Sequence, residues 1–495
     1  MALRCGNGRI RASVLGCAPE QTSKARSLAS PNIIAYLMLC VWPVVAWTLW
    51  TRLDPARALI WTILGGYLIL PPIAALSLPV VPDLDKFSIP SLTALLFALM
   101  LRRDKIGFDP GTTPGRILIA MFVLSPFATV LTNGEPIEIE AGDIQGLRIY
   151  DSVAAVANQA IAILPFFLAR RYLASAQAMR AVLVALVAAG FAYSGPMLVE
   201  VVMSPQINVW VYGFFQHDFG QTMRGGGFRP VVFLPHGLWV AFFAVMCVAA
   251  ALTQLRAAPA DQRPKYTVAV VYLALLLVIC KSAGPMLYGL ALAPMILLVG
   301  RRAQVMIAAV LAVIVMAYPL LRGAHLVPVD QIVDFARSLN PERAHSLAFR
   351  IDNEERLLAR AAEKPWFGWG GYARGLIHDP VTGRVLTIGD GAWIITLGMR
   401  GWMGYIAEFG LLLLPLLMLA REAWGRAGRS LSPYVAAVAL VLAVNAVDLL
   451  PNATLIPFTW LLAGAVFGAA EQLRSARVRD LRAAVTIRKP LRTVI

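Results

Sequence analysis

Hydrophobic residues in this chain occur in long blocks that polar residues barely interrupt. The blocks at 238–255, 303–321 and 434–450 approach the ~20 residues that a helix needs to cross the hydrocarbon core of a bilayer. One such run also fits a buried helix of a soluble protein, but about a dozen in one chain do not. The pattern therefore predicts an all-α fold, a polytopic bundle of transmembrane helices.

The blocks give thirteen candidate spans, whereas both basic terminal segments are expected in the cytoplasm, which an odd number of crossings does not allow. We therefore expect about twelve crossings. The least regular region is 32–101, where Pro43, Pro71 and Pro79 interrupt short blocks, so a half-inserted or tilted pair is expected there. The candidate spans are 32–50, 57–79, 87–101, 114–131, 151–169, 178–202, 236–255, 267–282, 285–300, 303–321, 401–420, 433–450 and 454–472.

The predicted organisation has two tails, two groups of helices and one long loop. Alternating orientation of the helices places the long loop, and a shorter one at 204–235, outside the cytoplasm. The segments are a disordered basic cytoplasmic tail at 1–30, transmembrane helices at 31–321, a long periplasmic loop with amphipathic helices at 322–391, C-terminal helices at 392–472, and a basic cytoplasmic tail at 473–495.

Charge supports this orientation. Only 15% of residues are charged, against about 25% in soluble domains. The net charge of +16 indicates orientation in a membrane protein and not nucleic-acid binding. The loop at 132–150 is acidic and is placed outside, whereas short basic loops at 102–105, 170–171, 256–265, 301–302 and 421–429 are placed in the cytoplasm.

Cofactor motifs are absent from the sequence. The five cysteines form no CxxC pair, so they favour neither a metal site nor a disulfide framework. No glycine-rich phosphate loop follows a strand pattern, so no nucleotide site is expected. Asn445 and Asp448 lie within an apolar block, where an interhelical hydrogen bond is the expected role.

Three stretches carry a family resemblance. The chain resembles the O-antigen ligase and polymerase superfamily of bacterial membrane glycan transferases in their order and spacing, roughly over 110–470. The stretches are Arg224-Gly225-Gly226-Gly227-Phe228-Arg229-Pro230 before His236, Arg350 on a helix that leads to Pro365-Trp366-Phe367-Gly368-Trp369-Gly370, and Glu408-Phe409-Gly410-Leu411-Leu412.

The resemblance implies a reaction and a location. It implies transfer of a glycan from an undecaprenyl-pyrophosphate carrier to an acceptor sugar hydroxyl at the periplasmic face of the bacterial inner membrane. It implies no metal and no other cofactor. The implied partners are the lipid-linked glycan, membrane lipid and other polysaccharide-assembly proteins, with no nucleic acid.

Two positions depart from the family pattern. Asp390 stands where ligases of this family usually carry a histidine, and Lys281 stands near a position where arginine is common. The first departure favours a polymerase over a ligase.

Six residues are candidates for the site. Guanidinium groups suit a pyrophosphate leaving group because they are planar, permanently charged and bidentate. An acceptor hydroxyl needs a base. The candidates are Arg224, Arg229, Arg350 and Lys281 for the pyrophosphate, and Asp390 or His236 for the base.

Each candidate also has a simpler interpretation. Arginines of the 204–235 loop can contact lipid headgroups, and Arg350 can pair with Glu354 one helical turn away. Asp390 can cap the helix that begins at Ala392. His236 can lie at the membrane interface, and Lys281 can reach the membrane surface along its own stem.

A transporter or flippase of lipid-linked oligosaccharide is the main alternative function, and a non-catalytic assembly partner is a third. Transporters typically show repeated halves and charges within spans. Here the two halves look unlike and charged residues collect in the external loops, which favours the enzyme.

Overall fold

A computed structural model describes residues 30–77, 82–339, 341–425 and 431–487 of the chain. Within these residues the fold is helical apart from one short hairpin and isolated bridges. The helices are α1 (Ile33–Arg52), α2 (Pro55–Ile69), α3 (Ser88–Met100), α4 (Thr113–Leu131), α5 (Ile149–Tyr172), α6 (Ala176–Met203), α7 (Ile207–Tyr212), α8 (Gly237–Ala257), α9 (Arg263–Ile279), α10 (Ala283–Leu298), α11 (Arg301–Gly323), α12 (Val329–Leu339), α13 (Pro341–Ala362), α14 (Ala392–Trp424), α15 (Pro433–Asp448) and α16 (Pro457–Ile487).

The apolar blocks account for these helices. Each of the thirteen candidate spans corresponds to one of them. Eight helices in the described part of the chain are long and apolar enough to cross a membrane, which supports the expected multi-pass membrane protein. The estimate of twelve crossings stays a prediction. Four further apolar helices are shorter, namely α2, α3, α10 and α15.

In the irregular region at 32–101, α2 and α3 are short, whereas α1 continues through Pro43 for 20 residues. Helix α2 ends at Ile69, before Pro71 and Pro72, because proline cannot continue the hydrogen-bonded ladder. Its 15 residues extend about 22 Å, less than the ~30 Å hydrocarbon core. The predicted span at 57–79 was therefore too long at its C-terminal end.

Hydrogen bonds between loops identify the two ends of the bundle. At one end, Arg102 donates to the carbonyl of Trp50 at 2.8 Å and Arg302 donates to that of Gly425 at 3.3 Å. At the other, Lys364 of the long loop donates to the carbonyl of Thr132 at 2.8 Å. We call these the basic end and the loop end.

The described chain starts at the loop end, which is the opposite end of the bundle from the one expected for a cytoplasmic N-terminal tail. The backbone N–H of Asn32 donates to the carbonyl of Tyr212 at 2.9 Å, and its side chain caps α1. The predicted disordered tail at 1–30 lies outside the described residues except for Ser30.

The long loop is anchored on the helix that follows it. Helix α14 is kinked at Gly401, whose φ of +62° is accessible mainly to glycine. The kink exposes backbone N–H groups, and those of Trp402 and Met403 donate to the carbonyls of Pro365 and Trp366 at 2.7 and 3.1 Å. The aromatic turn that carried the family resemblance is thereby fixed to the bundle.

A second anchor joins the long loop to the acidic loop at the same end of the bundle. Arg374 is buried, and its guanidinium donates to the carbonyls of Glu135 and Gln145 at 2.9 and 2.8 Å. Arg360 lies 3.5 Å from the ring centre of Trp369 beside this contact. The acidic loop at 132–148 and the long loop therefore form one layer at the loop end.

The closest helix approach in the bundle gives a prediction. A Cβ on Gly464 of α16 would overlap the carbonyl oxygen of Phe166 in α5. We expect Gly464→Ala to destabilise the protein by about 1–3 kcal/mol, because two backbones must separate to admit the methyl group. The measurement is the thermal unfolding midpoint in detergent.

Gly195→Ala is the matched control. Gly195 is also helical, but a Cβ there meets nothing within 4 Å. Equal midpoints for the two variants would contradict the proposed close packing.

Candidate functional site

The loop between α6 and α8 presents two of the predicted arginines on a small hairpin. Strand β1 (Met223–Arg224) pairs antiparallel with β2 (Gly227–Phe228). The two turn residues Gly225 and Gly226 have φ of +54° and +70°, as the tightest hairpin turns require. Two glycines of the motif therefore form the turn that follows Arg224.

Arg229 is the most unusual residue of the site. It is 3% exposed, and its Nε and Nη2 atoms have no hydrogen-bond partner among the described residues. Its guanidinium lies against Gly237, the first residue of α8, where a Cβ would overlap Nε. Burial lowers the pKa of Arg229 to about 10, and the neighbouring Arg224 adds to this shift.

The start of α8 adds positive potential at the same place. A helix N-terminus carries about half a positive charge on its exposed N–H groups and commonly binds anions. A buried cation placed against it is costly unless an anion balances both. This arrangement is the one expected of an anion-binding site.

His236 caps α8. Its Nδ1 accepts a hydrogen bond from the N–H of Leu238 at 2.9 Å, and its ring centre lies 4.2 Å from that of His217. Nδ1 of the ring therefore serves a structural role at the start of the helix.

The charge state of His236 follows from its surroundings. Burial lowers the pKa of His236 to about 2, and His217, Arg229, Arg224 and Arg350 add to the effect. The imidazole is therefore neutral and a weaker base than an exposed histidine. Arg350 of the long loop is thus part of the electrostatic surroundings of His236.

Two buried ionisable side chains hold the backbone between the hairpin and α8. The carboxylate of Glu200 accepts from the N–H groups of Val231 and Val232 at 2.7 and 2.8 Å. Lys86 is 1% exposed and donates to the carbonyl of Phe233 at 2.9 Å. Sequence reasoning missed both roles, although an ionisable residue inside or beside an apolar block was a usable signal.

Lys281 lies at the loop end, between α9 and α10. Its φ of +50° is uncommon for a residue with a side chain. A Cβ on Gly227 would lie 2.6 Å from its Nζ, so the ammonium group supports the hairpin from one side. Lys281 therefore lies next to the segment between Arg224 and Arg229.

Arg350 and Asp390 form an ion pair across the long loop. Arg350 Nε lies 3.5 Å from Asp390 Oδ2, with side chains 40% and 29% exposed. The cap of α14 is Gly391 and makes no side-chain hydrogen bond, so Asp390 is not the cap that was considered. Burial raises the pKa of Asp390, and the nearby Arg350 opposes this shift.

Glu354, which the simpler interpretation made the partner of Arg350, is instead buried. It is 8% exposed, and burial raises its pKa to about 7. Its neighbour Glu355 pairs with the buried Arg322 at 2.8 Å. The helix α13 therefore presents Arg350 towards the site while Glu355 holds the helix to the end of α11.

All six predicted site residues thus lie in one region at the loop end. Arg229 lies against the start of α8 with Arg224 close enough to affect its pKa, and Lys281 lies beside the hairpin. Arg350 pairs with Asp390. Such a region can bind a ligand with several negative charges and can accept a proton at Asp390. In the part of the chain that the structure describes, no group of three or more His, Cys, Asp or Glu side chains is arranged to hold a metal ion.

Comparison with known proteins does not identify the chain. No protein-family model matches it, and no curated protein matches it in sequence. The family resemblance stays a prediction that rests on the motifs above.

The raised pKa of Glu354 predicts a pH dependence. The folded protein holds this proton more tightly than the unfolded chain, whose glutamate titrates near 4.5, so the glutamate lowers stability as pH rises from about 4.5 to 7. Glu354→Gln removes this effect. Relative to wild type, we expect the variant to gain on the order of 2–3 kcal/mol between pH 5 and pH 8.

Thermal unfolding midpoints across this pH range measure the gain. Glu363→Gln, whose side chain is 54% exposed, is the control and should differ from wild type by a small, pH-independent amount. A pH-independent difference for Glu354→Gln would show that the folded-state glutamate is ionised like an exposed one.

Proposed function

We propose that the protein is a membrane glycosyltransferase that moves a glycan from an undecaprenyl-pyrophosphate carrier to the hydroxyl of an acceptor sugar. The observation that supports this most is the buried guanidinium of Arg229 at the start of α8, whose Nε and Nη2 have no hydrogen-bond partner among the described residues. The short basic loops at the opposite end of the bundle and the family resemblance favour a site at the periplasmic face of a bacterial inner membrane. On this proposal the protein acts in exopolysaccharide or O-antigen assembly.

The cations stabilise the leaving group. When the bond between the anomeric carbon and the pyrophosphate oxygen breaks, negative charge grows on that oxygen. Arg229, Arg224, Arg350 and Lys281 are fixed before the reaction, so they need little reorganisation as the charge develops. Binding of the pyrophosphate relieves their mutual repulsion.

Asp390 accepts the proton. The acceptor hydroxyl attacks the anomeric carbon while its proton passes to the carboxylate, and the carrier pyrophosphate leaves with the bonding electrons. Partial burial makes Asp390 a stronger base than an exposed aspartate, and Arg350 keeps it ionised. His236, neutral and already bonded at Nδ1, is the weaker candidate. Direct displacement predicts inversion at the anomeric carbon.

The position of the charges favours an enzyme over a flippase. A transporter usually binds its substrate near the middle of the membrane, between repeated halves. The cations here lie at one end of the bundle, on loops and helix ends. The aspartate in place of the family's histidine favours a polymerase over a ligase.

Genetic complementation tests the proposal. Deletion of the gene should abolish long surface glycan chains and leave single repeats on the carrier at the outer face. Wild type should restore the chains. Arg229→Ala, Arg350→Ala and Asp390→Asn should each reduce polymer by at least about tenfold, since each removes a charge used in the transition state. The readout is a gel of surface glycan, with membrane levels checked by blot.

Two exposed neighbours on α13 serve as matched controls. Arg356 and Asp352 are 59% and 76% exposed and form an ion pair with each other at 3.8 Å. Arg356→Ala and Asp352→Asn should restore full polymer. Repeats trapped on the cytoplasmic face would indicate the flippase, and full rescue by all three site variants would exclude this site.

A further inference from the structure

The connection between α15 and α16 reaches the site, although the sequence pattern suggests only an interhelical contact there. Asn452 Oδ1 and the carbonyl oxygen of Pro451 both lie 3.4 Å from Nη1 of Arg350. The backbone carbonyl of Asn452 accepts from the N–H of Ala392 at 3.2 Å. One turn therefore contacts both Arg350 and the chain just after Asp390.

A buried carboxylate fixes the orientation of the Asn452 amide. Asp448 is fully buried, and its Oδ1 accepts from Nδ2 of Asn452 at 2.9 Å, while its Oδ2 accepts from the hydroxyl of Thr454 at 2.7 Å. A carboxylate accepts hydrogen bonds and cannot donate them. The Asn452 nitrogen must therefore face Asp448, and its oxygen must face Arg350.

The turn is also rigid in its backbone. The N–H of Asn452 donates to the carbonyl of Asp448 at 3.1 Å. A Cβ on Gly391 would overlap the carbonyl oxygen of Leu450, so the turn and the start of α14 touch through their backbones. The acceptor offered to Arg350 consequently has a fixed position relative to Asp390.

We infer that Asn452 is a positioning residue for Arg350, and that Asp448 acts through it by fixing its amide. This inference rests on the proposed role of Arg350 in pyrophosphate binding. Asp390 and Asn452 hold Nε and Nη1 of the guanidinium and so set its plane. Among the described residues no hydrogen bond to Nη2 is found, so this atom is available to a ligand. The long 3.4–3.5 Å contacts allow the guanidinium to tighten onto an anion.

Binding of inorganic pyrophosphate to the purified full-length protein tests the inference by isothermal titration calorimetry. Arg350→Ala should weaken binding strongly. Asn452→Ala should weaken it by about tenfold, because the guanidinium loses its fixed acceptor. In the Arg350→Ala background, Asn452→Ala should have no further effect. A residue that only stabilises the fold would weaken binding in both backgrounds.

A second variant covers the case in which Asn452→Ala does not fold. Asp448→Asn keeps the shape of the turn but removes the carboxylate that fixes the amide. It should weaken binding by about threefold, again only when Arg350 is present. Arg356→Ala is the control, because this exposed arginine on the same helix has no contact with the turn, and it should bind pyrophosphate like wild type.

The outcomes separate the two proposals. If wild type binds and Arg350→Ala weakens binding, but Asn452→Ala and Asp448→Asn bind like wild type, the positioning role is wrong and the proposed function stands. Additive effects of Asn452→Ala and Arg350→Ala also overturn the positioning role. If wild type itself does not bind pyrophosphate, the proposed function loses its support, and the inference that rests on it falls too.

Discussion

The absence of hydrogen-bonding partners in the hydrocarbon core is the constraint on which this architecture depends. Every backbone polar group inside the membrane must bond within its own helix, so the apolar blocks become helices and polar chemistry moves to their ends. The loop end collects the hairpin, the acidic loop, the long loop and the α15–α16 turn. Buried charged side chains such as Arg374 and Glu200 join these irregular segments by bonding their backbone carbonyls and N–H groups. These bonds hold the loops of the site in fixed positions relative to one another.

The positive charge of the site is unbalanced at one residue, Arg229. Arg229 is buried without a bonding partner for Nε or Nη2 in the described chain, against a helix end of the same sign. Arg322, another buried arginine, is paired with a carboxylate, that of Glu355 at 2.8 Å. Proteins retain an imbalance such as that at Arg229 where binding of a ligand relieves it. Arg229 is therefore the candidate for ligand binding.

Much of the site was predictable from residue types. Arg229, Arg350, Asp390 and Lys281 were named from a motif, a departure or an ionisable group beside an apolar block, and all lie in one region. The alternatives for Arg350 and Asp390 were settled by position: Arg350 pairs with Asp390 at 3.5 Å instead of Glu354, and Gly391 caps α14. Asn452 was not predictable, because its role comes from a contact between residues 102 positions apart.

The sequence by itself determined that this is an all-α membrane protein, where its helices lie, and which side chains are costly to leave without a partner. Those properties follow from local hydrophobicity and from the chemistry of single residues. Only the tertiary structure decided that Arg350 of α13 contacts the α15–α16 turn, that Glu354 is buried, and that His236 is a cap. Contacts between distant segments depend on how helices pack, and a linear pattern of polar and apolar residues does not encode that packing in a readable form.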